Sequence, residues 1–262
     1  MGRLFEIIPE TGDIDRLLEL SERRGAAFEY NDFMNPNMLD NEMACADRIA
    51  FYKNLKRDRS MDTLHGTFLD ITVHSDDSLI REASRKRVRQ SMQVAEKLEI
   101  RGVIFHAGLL PDFRVQAYLD SWLARNAEFW SEVLREFPGL CVYMENMFER
   151  NSGELARIGR AMKGEPRFGI CLDYAHAAVF GKGEPPQSWF QNLKPWIRHF
   201  HINDNDLKDD LHLPLGSGRI DWKPFAELMK DCDEEVSVLL EMDGYEAIQK
   251  SFACLEETGI LP

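Results

Sequence analysis

"SLIREASRKRVRQSMQVAEKLEI" (78–100) runs, after a single arginine, into "GVIFH" (102–106). The first stretch carries apolar residues at helical spacing with charge over its other face, and predicts a helix over 78–98. The second is short, β-branched and aromatic, which reads as a strand. The same alternation extends in both directions. Strand-like runs recur as "LFEII" (4–8), "AAFEY" (26–30), "MDTLH" (61–65), "LCVYME" (140–145), "FGICLD" (168–173), "IRHFHI" (197–202) and "VSVLLE" (236–241). Helical segments are expected near 13–24, 40–56, 114–137, 152–163, 187–195, 221–231 and 244–258. Eight strand–helix alternations in 262 residues point to a closed (β/α)8 TIM barrel of the α/β class. A doubly wound open sheet is the alternative, but no Gly-x-Gly-x-x-Gly follows the first strand. With no linker, low-complexity tract or repeat, residues 1–262 are expected to form a single domain.

Composition narrows the function classes. The chain is 44% apolar, enough for a substantial core, and its formal charge is −13. Such acidity argues against a general binder of nucleic acid or membrane surfaces. The five cysteines, Cys45, Cys141, Cys171, Cys232 and Cys254, are scattered and include no Cys-x-x-Cys pair. A reduced cytoplasmic protein suits them better than a disulfide scaffold. The opening "MGRLFEIIPETGD" has no long apolar core of a signal peptide, and no run approaches a membrane span. The Met-Gly start lacks the Ser or Thr that myristoylation prefers. Oligomeric state is left open.

Placed on this frame, the polar residues fall into order. His65, His106, Glu145, Asp173, His201 and Glu241 end the third to eighth strands, at intervals of 41, 39, 28, 28 and 40 residues. In a barrel those strand ends converge on one mouth, where active sites are built. His176 follows Asp173 by three, and the segment "HFHINDNDLKDDLHLPLGSG" (199–218) adds Asp210 and His212 from a loop above the mouth. A lone strand-end histidine is more often a hydrogen-bonded structural residue, and a lone Asp often caps the next helix. Six successive strands ending this way would be electrostatically costly without a cation. A divalent metal is therefore expected. His199 points the same way but deeper, which suggests a structural role. His74, in the loop after strand three, suits a surface or a substrate contact.

The ordered set "TLHG", "FHAG", "MEN", "CLDYAH", "FHINDND", "DLHLPLGSG" and "LLEMDG" resembles the xylose-isomerase-like TIM-barrel superfamily, over residues 61 to 243. That superfamily holds sugar and sugar-phosphate isomerases and epimerases, and also endonuclease IV. The isomerase branch implies a site of Glu145, Asp173, His201 and Glu241, which suits zinc or manganese and accepts magnesium or cobalt. Proton transfer beside a carbonyl would pass through a metal-stabilised enediolate. Glu145 and Glu241 would be the catalytic pair, with His176 binding a substrate hydroxyl. The endonuclease branch implies three zinc ions: one on His65, His106 and Glu145; one on Glu145, Asp173, His201 and Glu241; one on His176, Asp210 and His212. Candidates for all of these are present, so one to three ions per chain are expected.

The loops choose between the branches. "NDFMNPNMLDNE" (31–42) and "GTFLDITVHSDD" (66–77) carry no Lys or Arg, whereas a duplex binder needs cations around the mouth. The second loop also departs from the Tyr-bearing DNA-contacting pattern of the endonucleases. Adding +4 or +6 from two or three ions to −13 still leaves −9 or −7. Lys208 and Arg219, with the glycine amides of "GSGRID", are candidates to meet one phosphate or carboxylate of a substrate. The expected function is a metal-dependent isomerase or epimerase of a sugar, sugar phosphate or related small polyhydroxy carbonyl compound. A trinuclear phosphodiesterase is the alternative, and a non-catalytic metal-binding barrel ranks third.

Overall fold

The computed structural model describes residues 3–261; the Met-Gly start weighed for lipidation lies outside them. Eight parallel strands follow the expected positions: β1 (Phe5–Ile7), β2 (Ala27–Tyr30), β3 (Thr63–His65), β4 (Gly102–His106), β5 (Cys141–Glu145), β6 (Phe168–Asp173), β7 (Ile197–Ile202) and β8 (Ser237–Leu240). Each pairs with the next, and β8 returns to β1 with Phe5, Glu6 and Ile7 opposite Val238, Leu239 and Leu240. The barrel is closed, as the alternation predicts, and not an open sheet.

Ten α-helices wrap the strands among the described residues: α1 (Ile14–Arg24), α2 (Pro36–Asp40), α3 (Glu42–Asn54), α4 (Ser78–Leu98), α5 (Gln116–Glu136), α6 (Gly153–Ala161), α7 (Tyr174–Phe180), α8 (Pro186–Leu193), α9 (Trp222–Lys230) and α10 (Tyr245–Glu257). Two of them, α2 and α7, fall in stretches that the sequence reading leaves as loops. Helix α4 starts at the Asp77 cap, whose side chain accepts from the Leu79 amide at 2.8 Å, and stops at Glu99 in the left-handed region. No helix among the described residues is long and apolar enough to cross a membrane.

The main core lies between strands and helices, where Trp122, Trp130 and Trp189 are fully buried with Phe105, Phe190 and Phe200. Inside the barrel the filling differs. Ile104, Tyr143 and Cys171 form a small apolar cluster. Much of the remaining floor is polar: Glu6, Glu29, Thr63, His199 and Ser237 are all fully buried. Arg101 closes it from below, 3.2 Å from Glu6 Oε1 and 2.6 Å from Ser237 Oγ. His199 sits in this floor, with Nδ1 2.6 Å from Ser237 Oγ and Nε2 3.2 Å from Glu29 Oε2. Buried charges are tolerated here because each has a partner.

Candidate metal centre

Parallel pairing sets the strand ends side by side: His106 is in register with Glu145, and Asp173 with His201. Asp173 is also the cap of α7, since its Oδ1 accepts from the His176 amide at 2.6 Å. That single turn swings His176 back over the mouth. Loop residues 205–212 bring Asp210 and His212 to meet it.

The side chains gather into three contiguous donor groups, each with its ligand atoms within 4.8 Å of one another: His65, His106 and Glu145; Glu145, Asp173, His201 and Glu241; His176, Asp210 and His212. All nine metal-site residues expected from the sequence are thus brought together. In the first group the Nε2 atoms of His65 and His106 approach Glu145 Oε2 at 3.4 and 3.2 Å. In the second, His201 Nδ1 lies 3.2 Å from Glu145 Oε1 and 3.4 Å from Glu241 Oε1. In the third, the Nε2 atoms of His176 and His212 both lie 3.1 Å from Asp210 Oδ2. The far side of each of these rings is held as well. The Nδ1 atoms of His65, His176 and His212 face the carbonyls of Gly66, Asn146 and Glu241 at 2.9, 2.9 and 3.0 Å. Donation to a carbonyl from Nδ1 leaves each Nε2 lone pair aimed inward, as a metal ligand requires.

The donor set fits a cation. Both oxygens of Glu145, Asp173 Oδ2, Asp210 Oδ1 and His201 Nδ1 are buried without a hydrogen bond. An orphaned buried polar atom costs about 1–3 kcal/mol, more when charged, so five in one cluster call for a ligand. Imidazoles mixed with carboxylates match zinc or manganese.

The fields inside the cluster are strong. Burial pushes the Glu145 carboxyl up, but His201 and His106 outweigh it and hold the group well below the carboxylate range. Burial, with Glu241 and Glu145 beside it, drives Asp173 up. Burial opposes charge on His212, yet Glu241 and Asp210 raise it to about 10. Glu241 is held down at about 2, against its burial, by His201 and His212.

Above the groups lies a cavity of about 300 Å³. Its polar border includes His65, His106, His176, Asp210, His212 and Glu241, and its walls are Ile8, Met34, Phe68, Met147 and Met242. Glu145 has no exposed surface and lies beneath the imidazoles. Lys208 and Arg219 are exposed and do not border the cavity, and the Gly216 amide is taken by Asp204. His74 is buried against Tyr118, with 3.3 Å between Nε2 and the hydroxyl. A wider depression of about 770 Å³ lies on the outer face of α4, but it is open and holds none of the donor groups.

Some partners of the site escaped the sequence reading. Glu29 Oε1 lies 3.2 Å from His201 Nε2, behind the ring. Asn203 donates to Glu241 Oε2 at 3.2 Å, and Asn146 donates to the Asp173 carbonyl at 2.9 Å. The inward period of "AAFEY" marks Glu29 in principle; nothing local marks its partner 172 residues away.

A family model for the xylose isomerase-like TIM barrel matches residues 26–258. This chain is a member of that family. Within the xylose isomerase-like family, a probable endonuclease 4 of Protochlamydia amoebophila is 30% identical over 191 residues, covering 64% of each protein. The match therefore spans less than two thirds of that relative. Among solved structures, the TTHB071 protein of Thermus thermophilus, soaked with zinc chloride, aligns over 99% of both chains with a TM-score of 0.77 and 22% identity. A D-tagatose 3-epimerase-like protein aligns over 98% of this chain and 97% of its own, with a TM-score of 0.73 and 20% identity. At such identities the two structures speak for the fold alone.

Proposed function

We propose that this protein is a divalent-metal-dependent isomerase or epimerase of a sugar, sugar phosphate or related small polyhydroxy carbonyl compound. The observation that carries the reading is the cavity: small, apolar-walled, open to the donor groups, and bordered by no Lys or Arg. Around it Leu69, Leu110, Phe113, Phe148, Leu207 and Leu211 are exposed on the loops of the mouth. Arg114, Arg125 and Arg150, on the same side, are each paired with a carboxylate, of Glu154, Asp76 and Asp112. Apart from Lys208 and Arg219 on the loop after β7, such a rim offers a duplex little phosphate neutralisation. It suits a small molecule in a cytoplasmic enzyme.

The central group Glu145, Asp173, His201 and Glu241 would hold a divalent ion, with the two flanking groups available for one more each. A cation there supplies Lewis-acid stabilisation of the charge that develops on a substrate carbonyl. Glu241, at the cavity border and unprotonated near neutral pH, accepts the proton beside that carbonyl. Glu145, buried beneath the imidazoles that border the cavity, serves as its counterpart within the central group. His176 meets a hydroxyl through Nε2, and the methionine walls exclude water from the exchanging proton.

A phosphodiesterase is the second reading, favoured by the completeness of the flanking group His176, Asp210 and His212 and by Glu145 lying between two groups. Proton exchange separates the two. Zinc- or manganese-loaded enzyme incubated in deuterated water with ketoses and ketose phosphates should place deuterium beside the carbonyl, and Glu241→Gln should lose it. Metal-dependent nicking of abasic duplex DNA at catalytic enzyme levels, abolished by Glu145→Gln and with no exchange on any sugar, would establish the second reading instead.

A further inference from the structure

We infer that Asp204, which belongs to none of the three donor groups, is the positioning residue that builds the His176–Asp210–His212 subsite. The inference rests on that group being a cation subsite, and on neither reaction.

Asp204 stands two residues past β7 and is fully buried. Its backbone pairs with Leu213 in both directions at 2.8 Å, which folds residues 205–212 into a closed loop. Its carboxylate accepts four hydrogen bonds. Oδ1 takes the amides of Asn205 at 2.9 Å and Ile220 at 3.1 Å. Oδ2 takes the Gly216 amide at 2.9 Å and Trp222 Nε1 at 3.2 Å. Residues 204, 216, 220 and 222 are thus fastened to one point, and the loop between them has nowhere to drift.

The glycines follow from this wrapping. Gly216 adopts φ +75°, a left-handed conformation that side chains disfavour. At Gly218 an added Cβ would overlap Asp204 Oδ1 and the Asn205 carbonyl oxygen. The Gly-Ser-Gly turn is therefore shaped around a carboxylate, which accounts for it without any bound phosphate. Held this way, the loop keeps Leu207 and His212 at φ +65° and +47°, conformations a free loop would abandon. His212 then faces Asp210 and His176 with its Nε2. Asparagine at 204 would turn an NH2 group toward two of the four donors, so shape alone cannot replace the charge.

The test counts and titrates zinc on the full-length protein. Wild type and His212→Ala are compared first, and the difference defines the subsite. Asp204→Asn should lose the same increment, or weaken that subsite's zinc affinity tenfold or more, while the remaining zinc and the circular dichroism of the barrel stay as in wild type. Gly218→Ala, which keeps the carboxylate and disturbs only its wrapping, should show the same selective loss. It carries the test alone if Asp204→Asn does not fold. Trp222→Phe, which removes one donor of four, should show a smaller loss. Full zinc content with affinity within twofold of wild type in both Asp204→Asn and Gly218→Ala overturns the inference. If His212→Ala loses no ion, the group is not a cation subsite and the inference falls with it. Deuterium exchange on sugars, measured separately, still decides the proposed function.

Discussion

Glu29 never reaches the cavity, yet it stands 3.2 Å behind His201 on the side away from the donor groups. A carboxylate at that distance favours the proton on Nε2 through its charge, and so leaves the Nδ1 lone pair facing the donor groups. Glu29→Gln should therefore weaken zinc binding at the central group by about 10- to 100-fold, read by chelator competition, with the fold intact. Unchanged affinity would remove Glu29 from the site. Glu149 gives a pH prediction. It is buried in the loop after β5, accepts from the Met147 amide at 2.7 Å, and burial lifts its pKa to about 7. The native state thus holds this proton more tightly than the unfolded chain, whose value is near 4.5. The contribution is fully present below that value and is lost as pH rises through 7. Between pH 5 and 8 the wild type should lose on the order of 2–3 kcal/mol that Glu149→Gln does not, measured by urea unfolding at each pH. Parallel stability profiles for the two proteins would contradict the assignment.

At the scale of elements, β6 and α7 share Asp173, which both caps the helix and faces the central group. Asparagine caps nearly as well as aspartate but carries no charge. Asp173→Asn should keep apo stability within about 1 kcal/mol while zinc content falls, and a variant that kept its zinc would separate capping from binding. Helix α4 ends on Glu99 at φ +61°, where glycine is usual. Glu99→Gly should raise stability by on the order of 0.5 kcal/mol, since the Glu99 side chain is itself exposed in its ion pairs with Lys53 and half-buried Arg59. A fall in the urea midpoint would show those pairs to matter more. These two helices also mark what the sequence could tell. Helix α4 was legible to the residue because its apolar stripe runs for several turns. Helix α7, "YAHAAVF", is one short segment directly after a strand, too brief for a period to show. The strand-end donor residues were legible because one barrel unit separates each from the next. The floor of Glu6, Thr63, Arg101 and Ser237 was not, since its pairings join residues 57 to 136 apart. The hub at Asp204 looked like one more acidic residue in an acidic loop.

For the whole molecule, charge and the proposed metal both lead to predictions. With −13 overall and Arg114, Arg125 and Arg150 each paired with a carboxylate, binding to abasic duplex DNA should be unmeasurable at moderate salt. Saturable binding whose affinity falls steeply with added salt would reverse that expectation. Chelation should lower the thermal midpoint of the whole barrel in a single transition, because a ligand that binds only the native state stabilises it by RT ln(1 + [L]/Kd).

The last strand to be made is also the one that completes the site. Glu241 follows β8, the strand whose pairing with β1 completes the cylinder, while Glu29 comes from β2. A chain still emerging from the ribosome holds His65, His106 and Glu145 long before it holds Glu241. The central donor set comes into being only when β8, the last strand of the ring, takes its place beside β7. A metal bound there would thereby act as a checkpoint on finished synthesis: a chain that stops before β8 displays imidazoles and carboxylates but lacks the complete cage.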